Sequence, residues 1–448
     1  MRKYFEGHSL TGVVIILSVF LLGLILRFYD PSSLSPWTDE LASWWYLRHL
    51  DEVFGRESHS PVYYGILRLF LGSDATISGI RTFTAAISAI HLVEFFFLGQ
   101  RVFKRNQFLV FWILICLSPA DIVYARMARH YSWLLEGILV YALLCRGNYP
   151  RWLRFVTATF MGFLHVFSLI PIGVISVFDF LKKRKWKPLI LDLLPMTPVL
   201  FYYVLRVMFF GEKHVARNVS WNSDGLLPFL ELCMTQFLGD AYPHYIFDPV
   251  NRWVAGFIVG STFLLILWKK KESGILFFLM ILGSLIAIEV LAFWLNLRVN
   301  RYVIYLIGLW ILALTDILES EKEYVPVIVL GLSLLLVLYC NPLKVYPWEN
   351  EKVEVWKDFK STSTGMPELV CSNRYQSDYY GLNAPVLCRD ELKSVDFHRP
   401  LLFFDLNGLD TVLLVQLMES MDVVDYRALK FGVMARFTPK ETNGNVKK

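Results

Sequence analysis

The chain contains 448 residues, of which 55% are hydrophobic and 19% charged, with a net charge of +5 at pH 7. Together with a mean hydropathy of +0.46, this composition excludes an ordinary soluble protein and indicates one that lies largely in lipid. The basic residues form short clusters between apolar stretches, which is typical of topology determinants, so we exclude a nucleic-acid-binding protein.

Apolar stretches recur over residues 1–340 and, with the positive-inside rule, predict about 11 transmembrane helices, two of them short. Residues Met1 to Phe28 have a basic start and a long apolar run without a following cleavage site, so we interpret them as a retained first span with a cytoplasmic N-terminus. Loops 29–79 and 211–249 are then external, and the first contains interfacial helices. The later spans are predicted at Ile80–Leu98, Phe108–Leu117, Trp133–Leu144, Phe155–Leu181, Leu189–Phe210, Val250–Trp268, Ile275–Leu295, a stretch ending before Glu319, and Val325–Tyr339.

The apolar run from Phe155 to Leu181 is predicted to be a short helical hairpin. Basic residues flank both of its ends, so both ends belong on the cytoplasmic side, which a single crossing does not allow. A bend near Leu164 to Ser168 resolves the conflict and places His165 at the external surface. The alternative is that His165 is a packed, hydrogen-bonded histidine in a helix bundle.

From Asn341 the composition changes to that of a soluble module. Strands are predicted at Leu369–Cys371, Leu401–Phe404 and Val433–Phe437, with a helix at Thr411–Met421. This alternation predicts a small extracytoplasmic α/β domain over residues 341–440, followed by a disordered tail at 441–448. Its role is open between a lid, an acceptor-docking surface and structural support. Cys371 and Cys388 either form a disulfide, which an oxidising compartment preserves, or are two buried thiols.

Polar residues in the first external loop indicate chemistry. Thr38 is a good N-cap, and the aromatic stripe that follows predicts a helix lying in the membrane interface. Asp39 and Glu40 fall in its first turn, where they complement the positive end of the helix dipole or serve in catalysis. Further along the loop, around a proline that starts a second helix, are His59, Tyr63 and Tyr64.

The acidic pair, the His-Ser-Pro element at residues 59–61 and the Tyr-Tyr pair resemble the polyprenyl-phosphate-sugar-dependent glycosyltransferases of the GT-C class. That class includes the protein O-mannosyltransferases and the aminoarabinose transferase of lipid A. The sequence departs from the family at Ser60, where the family has a proline. A Tyr-Ala-Arg-x-x-Arg-x-Tyr-like turn and a later Arg-Tyr lie near the donor phosphate in the family, and the matching positions here are Tyr124, Arg126, Arg129, Tyr131, Arg301 and Tyr302.

The resemblance implies sugar transfer from an undecaprenyl- or dolichyl-phosphate donor to an acceptor hydroxyl on the extracytoplasmic face. Attack from the face opposite the phosphate would invert the anomeric centre. A carboxylate is needed as base, and we assign Asp39 first and Glu40 second. The leaving phosphate gains charge that guanidinium groups stabilise, so the predicted phosphate-binding residues are Arg126, Arg129, Arg301, Arg298, Tyr131 and Tyr302. The predicted substrate-binding residues are His59, Tyr63, Tyr64, His165 and Lys213. Alternatives are snorkelling arginines and interfacial aromatic anchors.

The expected partners are the lipid donor, a glycan, lipid or protein acceptor, and the bilayer of a bacterial or archaeal plasma membrane. We expect no cofactor. A divalent metal is not indicated, because His214, His244, Asp240 and Asp248 match no known ligand spacing. The rival function is a polytopic transporter or flippase for a lipid-linked or anionic substrate. Such proteins place charges near the bilayer midplane and often contain two related halves, whereas the charges here cluster on one predicted face and no duplication is visible.

Overall fold

The computed structural model describes residues 10–32, 38–56, 61–183, 186–210, 249–269, 279, 281–286, 304–319, 322, 324–343, 368–371, 386–387, 401–405, 411–429 and 432–440. The chain divides into two compact units. The first consists of Met1–Pro31 and Tyr46–Val345, and the second of Ser32–Trp45 and Tyr346–Lys448. The domain boundaries drawn from composition stay a prediction.

The first unit is helical throughout its described residues apart from short connections. Its helices are α1 (Leu10–Phe28), the end of α2 (Thr38–Arg48), α3 (Leu50–Arg56), α4 (Pro61–Leu71), α5 (Ile77–Val102), α6 (Arg105–Cys116), α7 (Pro119–Ala125), α8 (Tyr131–Arg146), α9 (Arg151–Leu164), α10 (Leu169–Lys183), α11 (Trp186–Leu193), α12 (Met196–Phe210), α13 (Pro249–Lys269), α14 (Tyr305–Ile317) and α15 (Tyr324–Cys340). The prediction of a mainly α-helical protein is therefore confirmed.

Within the described residues, α1 and α5 are long and apolar enough to cross a membrane, and the bent pair of α6 and α7 forms a third candidate span. Six other apolar helices are shorter, so the predicted number of spans stays a prediction. One face of α1 exposes Leu10, Val14, Leu17 and Leu21, while Ile16 and Val19 on the other face are buried. A helix that packs one face against the protein and exposes apolar side chains on the other face is suited to contact lipid. The protein is membrane-embedded.

The stretch after α6 differs from the prediction. The predicted spans Phe108–Leu117 and Trp133–Leu144 left residues 118–132 as a turn between them. In the structure, α7 occupies the first half of that stretch, inclined by 47° to α6. Pro119 has no backbone N–H to continue the α6 ladder, and the Ser118 hydroxyl accepts a hydrogen bond from the Asp121 backbone N–H at the new helix start. The connection between α7 and α8 is thereby confined to residues 126–130, which we call the arginine turn.

The predicted bend in the short hairpin is confirmed. Helix α9 ends at Leu164, His165 is extended with φ −157° and ψ 125°, and one 3-10 turn at Val166–Ser168 leads into α10. The single span expected over Leu189–Phe210 is instead two helices, α11 and α12, because Pro195 interrupts the backbone ladder between them.

The second unit contains a five-stranded sheet with the order β2-β1-β3-β5-β4. Its elements are β1 (Glu368–Cys371), β2 (Val386–Leu387), β3 (Leu401–Asp405), α16 (Thr411–Ser420), β4 (Met421–Leu429) and β5 (Gly432–Pro439). The first three strands are parallel, and β5 pairs antiparallel with β3 and β4. Phe403, Ala435 and Phe437 of the sheet are buried, as is Leu417 of the helix. The predicted strands, helix and α/β class are confirmed.

Strand β4 was not predicted from the sequence. It lies at one edge of the sheet, and residues 422–426 are exposed, so the strand lacks the apolar alternation that marks a buried strand. Cys371 lies in β1, whereas Cys388 falls outside the described residues. The disulfide between them stays a prediction.

Candidate functional site

The structure describes some of the predicted site residues and omits others. The structure does not describe residues 211–248 or the predicted site residues His59, Lys213, Arg298, Arg301 and Tyr302, nor the side chain of Asp39. Asp39 and Glu40 occupy the first turn of α2, and Glu40 is completely buried. The remaining predicted residues belong to the first unit, where each is 3% exposed or less: Tyr63, Tyr64, Arg126, Arg129, Tyr131 and His165.

Helix α4 positions two of these residues. Pro61 is its first residue, a position where the missing N–H costs nothing. The adjacent tyrosines follow within the first turn, and both side chains are completely buried. The ring centroid of Tyr63 lies 5.2 Å from those of His130 and Trp133, at distances typical of aromatic pairs. The hydroxyl of Tyr64 accepts a hydrogen bond from Nη1 of Arg129 at 3.0 Å.

Arg129 lies in the arginine turn between α7 and α8. Its guanidinium carbon is 5.7 Å from the ring centroid of Tyr131, the first residue of α8, which is cation–π geometry. Tyr131 in turn packs against the ring of Tyr124 at 5.8 Å. The guanidinium of Arg129 is thus buried and bordered by the aromatic side chains of Tyr64 and Tyr131.

Arg126 begins the same turn but has different partners. Its Nη1 donates to the carbonyl of Pro342 at 2.6 Å, and its Nη2 donates to the carbonyl of Tyr29 at 3.0 Å. Those carbonyls belong to the segments that follow α15 and α1. Arg126 therefore joins two chain connections to the arginine turn, whereas Arg129 joins aromatic side chains.

Two histidines complete the arrangement. The rings of His130 and His165 lie 5.5 Å apart, and the Phe167 backbone N–H donates to Nδ1 of His165 at 3.3 Å. Burial, with a smaller contribution from the charge of Arg129, lowers the pKa of His165 from 6.5 to about 3. Burial, then His165 and Arg129, hold the pKa of His130 well below its ordinary value. Both imidazoles are therefore neutral at pH 7.

We call this group of side chains the Arg129 cluster. Its members come from α4, the arginine turn, the start of α8 and the hairpin bend, and they are Tyr63, Tyr64, Arg129, His130, Tyr131, Trp133 and His165. Five residues that the sequence singled out for donor or substrate binding thus lie in one connected group, namely Tyr63, Tyr64, Arg129, Tyr131 and His165. His130 and Trp133 were assigned no role from the sequence.

The sequence reading missed a second set of buried polar residues in the membrane-embedded unit. Arg27, Ser88, Asp121 and Glu136 are each 1% exposed or less, and they hydrogen-bond to one another. Ionisable residues inside apolar stretches are a functional signal in membrane proteins, and that signal was available at Arg27 and Glu136. Among the residues that the structure describes, no group of three or more His, Cys, Asp or Glu side chains could hold a metal ion.

The class defined by these observations is a membrane-embedded, mainly α-helical protein with a C-terminal α/β sheet. No protein-family model matches the sequence, and no curated protein matches it. Among solved structures, the crystal structure of ArnT from Cupriavidus metallidurans bound to undecaprenyl phosphate aligns with 96% of this chain and 98% of that chain, at 14% identity and a TM-score of 0.48.

Proposed function

We propose that this chain is an integral membrane glycosyltransferase of the GT-C class, which transfers a sugar from a polyprenyl-phosphate donor to an acceptor hydroxyl on the extracytoplasmic face. The observation that carries the proposal is the Arg129 cluster, in which a buried guanidinium is bordered by aromatic side chains from distant parts of a membrane-embedded unit. A buried cation in a membrane protein is costly, and such residues usually bind an anion or line a functional path.

The chemistry of the cluster suits a lipid phosphate attached to a sugar. Arg129 presents a planar fork of N–H donors, which pairs with phosphate oxygens and stabilises the charge that builds on the leaving phosphate. Because His130 and His165 are neutral at pH 7, Arg129 is the cation of the cluster. The neutral imidazoles and phenols are suited to hydrogen bonds with sugar hydroxyls, and the rings to stacking on the sugar.

The contacts of the two arginines in the arginine turn rank them as phosphate-binding residues. Arg129 comes first, because its guanidinium lies among the aromatic side chains of the cluster, whereas Arg126 donates to the backbone carbonyls of Tyr29 and Pro342. Those bonds give Arg126 a part in holding the turn. Arg126, Tyr131, Arg298, Arg301 and Tyr302 keep the role that the family resemblance implies, as proposals. His59, Tyr63, Tyr64, His165 and Lys213 likewise remain proposed substrate-binding residues.

In the proposed reaction, a carboxylate removes the proton of the acceptor hydroxyl as its oxygen attacks the anomeric carbon, and the bond from that carbon to the lipid phosphate breaks. Attack from the face opposite the phosphate inverts the anomeric centre. Asp39 is the proposed base and Glu40 the second candidate. The released polyprenyl phosphate carries the negative charge that the arginine side chains stabilise.

The proposal is tested with the purified, detergent-solubilised full chain. Radiolabelled undecaprenyl-phosphate-linked hexoses and pentoses are supplied as a panel, and release of undecaprenyl phosphate is followed. Binding of undecaprenyl phosphate itself is measured in parallel, with undecaprenol as the uncharged control. We expect the chain to bind undecaprenyl phosphate and not undecaprenol. Arg129→Gln should weaken this binding, whereas Arg151→Gln, which changes an exposed arginine of α9, should not.

Three results would contradict the proposal. Equal binding of undecaprenol and undecaprenyl phosphate would mean that no phosphate site exists. Equal losses in the two arginine variants would remove Arg129 from that site. Translocation of a fluorescent undecaprenyl phosphate across vesicles, without sugar release from any donor of the panel, would favour the flippase instead.

A further inference from the structure

The buried guanidinium of Arg27 binds both sides of the break between α6 and α7. Its Nη1 donates to the Cys116 carbonyl at 3.0 Å and its Nη2 to the Ile115 carbonyl at 3.3 Å. Nη2 also donates to the Asp121 carboxylate, which lies in the first turn of α7. The last carbonyls of a helix have no intrahelical partner, so one side chain caps α6 and holds the start of α7.

The approach of α1 to this break depends on a glycine. A Cβ added at Gly23 would lie 2.9 Å from the Cys116 carbonyl oxygen and 3.2 Å from Nη1 of Arg27. The Gly23 carbonyl itself accepts from Nη1 at 3.0 Å. The missing side chain therefore lets α1 lie against the end of α6, at the distance the Arg27 contacts require.

The same guanidinium reaches the helix on the other side of the arginine turn. Nε of Arg27 donates to the Ser88 hydroxyl at 2.9 Å, and that hydroxyl donates to the Glu136 carboxylate. Glu136 lies in α8, directly after the turn, and Asp121 lies in α7, directly before it. Both helices that flank Arg126 and Arg129 are thus bound to one buried network.

Stability alone is a weak explanation for this network. Charges buried in low dielectric gain little net stability, and apolar side chains of similar size often serve as well. Moreover, the network buries two carboxylates, Asp121 and Glu136, beside one guanidinium, and taking these groups out of water adds a desolvation cost. The network does restrict geometry, because directional hydrogen bonds from one guanidinium fix the relative placement of α6, α7 and, through Ser88, α8.

We propose that Arg27, Asp121 and Glu136 are positioning residues of the donor site. They hold α7 and α8 so that the arginine turn presents Arg129 against Tyr64 and Tyr131, in the geometry that receives the donor phosphate. This inference rests on the proposed function, since it assigns the network a role in donor binding.

The chain offers a matched control for a purely structural ion pair. Arg146 makes a bidentate pair with Asp316 at 2.6 and 2.7 Å, and Gln107 donates to the same carboxylate at 2.7 Å. The Asp316 side chain is 1% exposed, and Arg146 is the last residue of α8, at the end opposite the arginine turn. This pair joins helices without flanking the turn.

The first arm of the experiment measures binding of undecaprenyl phosphate to the detergent-solubilised full chain. Arg27→Lys keeps the charge but loses the planar fork, and Glu136→Gln keeps the shape and an oxygen acceptor for Ser88. We expect each to weaken binding on the order of tenfold, since small misplacements of a binding group have effects of this size or larger. Arg146→Lys should lower the melting temperature without changing the affinity. Glu136→Gln, the milder change, is decisive if Arg27→Lys does not fold.

A double-mutant cycle separates positioning from general loosening. If Arg27 acts through Arg129, Arg27→Lys adds no further loss of affinity in an Arg129→Lys background. An additive loss would overturn the proposal, as would a loss in Arg27→Lys no larger than that in Arg146→Lys. An unchanged affinity in Glu136→Gln would overturn the proposal if Arg27→Lys does not fold, and would otherwise remove Glu136 from the positioning group.

The second arm does not depend on the donor. Hydrogen exchange is measured by mass spectrometry on the peptide covering residues 119–131, without added lipid. We expect faster exchange there in Arg27→Lys than in the parent or in Arg146→Lys. Unchanged exchange in this peptide would overturn the anchoring of the turn. If the parent binds no undecaprenyl phosphate, the proposed function fails, and this arm still decides whether the network anchors the turn.

Discussion

The hydroxyl of Tyr64 accepts a hydrogen bond from Nη1 of Arg129 at 3.0 Å, although the two residues are 65 positions apart in the chain. The bond joins α4 to the arginine turn inside the membrane-embedded unit, where both side chains are buried. A hydrogen bond from a charged donor in such surroundings is stronger than one between neutral groups. We therefore expect it to set the orientation of the guanidinium and to respond measurably to mutation.

Replacement of Tyr64 by phenylalanine removes the acceptor and keeps the ring, which packs against Tyr46 and Tyr63 at centroid distances of 5.4 and 5.2 Å. We expect the free energy of unfolding to fall by about 1.5–3 kcal/mol, the usual range for a hydrogen bond to a charged group. Thermal unfolding in detergent measures this loss of stability. Binding of undecaprenyl phosphate measures the effect on the orientation of the Arg129 guanidinium. Tyr149→Phe is the control, since a phenylalanine ring keeps the stacking of Arg101 at 5.8 Å. Equal melting temperatures of Tyr64→Phe and the parent would contradict the prediction.

The buried histidines make stability depend on pH. The folded-state pKa of His165 is about 3 and its ordinary value is 6.5, so between these values the unfolded chain binds a proton that the folded chain does not. Stability therefore rises with pH across this window and is lost as the pH falls below about 6.5, with a slope of up to about 1.4 kcal/mol per pH unit for one histidine. His165→Gln should flatten the slope between pH 6.5 and 5, measured by chemical unfolding. Above pH 7 the variant and parent curves should run parallel, and an unchanged slope below pH 6.5 would refute the assignment.

Asp39→Asn removes the proposed base without removing the donor site. We expect sugar transfer to fall by about 10²–10⁴-fold, the usual contribution of a general base, while binding of undecaprenyl phosphate is kept. Sugar transfer is measured by release of undecaprenyl phosphate from the radiolabelled donor panel. Binding of undecaprenyl phosphate is measured separately. If Asp39→Asn turns over at the parent rate and Glu40→Gln does not, Glu40 is the base.

Gly23→Ala tests the close approach of α1 to α6. The new Cβ would lie 2.9 Å from the Cys116 carbonyl oxygen, so α1 must shift or strain, and we expect a loss of about 1–3 kcal/mol of stability. Gly331→Ala in α15 is the matched control, because nothing lies within 4 Å of its added Cβ. Its melting temperature should be unchanged or slightly raised, since alanine favours the helix. Equal effects of the two changes would mean that the approach is not tight.

Local patterns predicted most of the secondary structure. Apolar run lengths located α1, α5, α8, α13 and α15, and short apolar runs located β1, β3 and β5, because these signals depend on neighbours within a few residues. The hairpin bend at His165 followed from basic residues at both ends of one apolar run. The break at Pro195 had a local signal in the proline itself, but the long apolar runs on either side outweighed it.

Part of the candidate site followed from the sequence as well. Family-like motifs singled out Tyr63, Tyr64, Arg129 and Tyr131, and the charge pattern of the hairpin singled out His165. All five lie in the Arg129 cluster. The sequence did not separate Arg129 from Arg126, since both occur in the same turn. Their partners differ because Arg126 meets carbonyls from remote segments, which no local pattern records.

By itself, the sequence determined that the chain is a helical membrane protein with an α/β C-terminal part and which side chains carry polar chemistry, since composition and periodicity are properties of short windows. Only the tertiary structure decided which of those side chains meet. Arg27 and Asp121 are 94 positions apart, and their pairing follows from the close approach of α1 to the break after α6. A buried charge needs an oppositely charged or hydrogen-bonding group close to it. Which residue supplies that group is determined by how the helices pack, and no local sequence pattern records the packing.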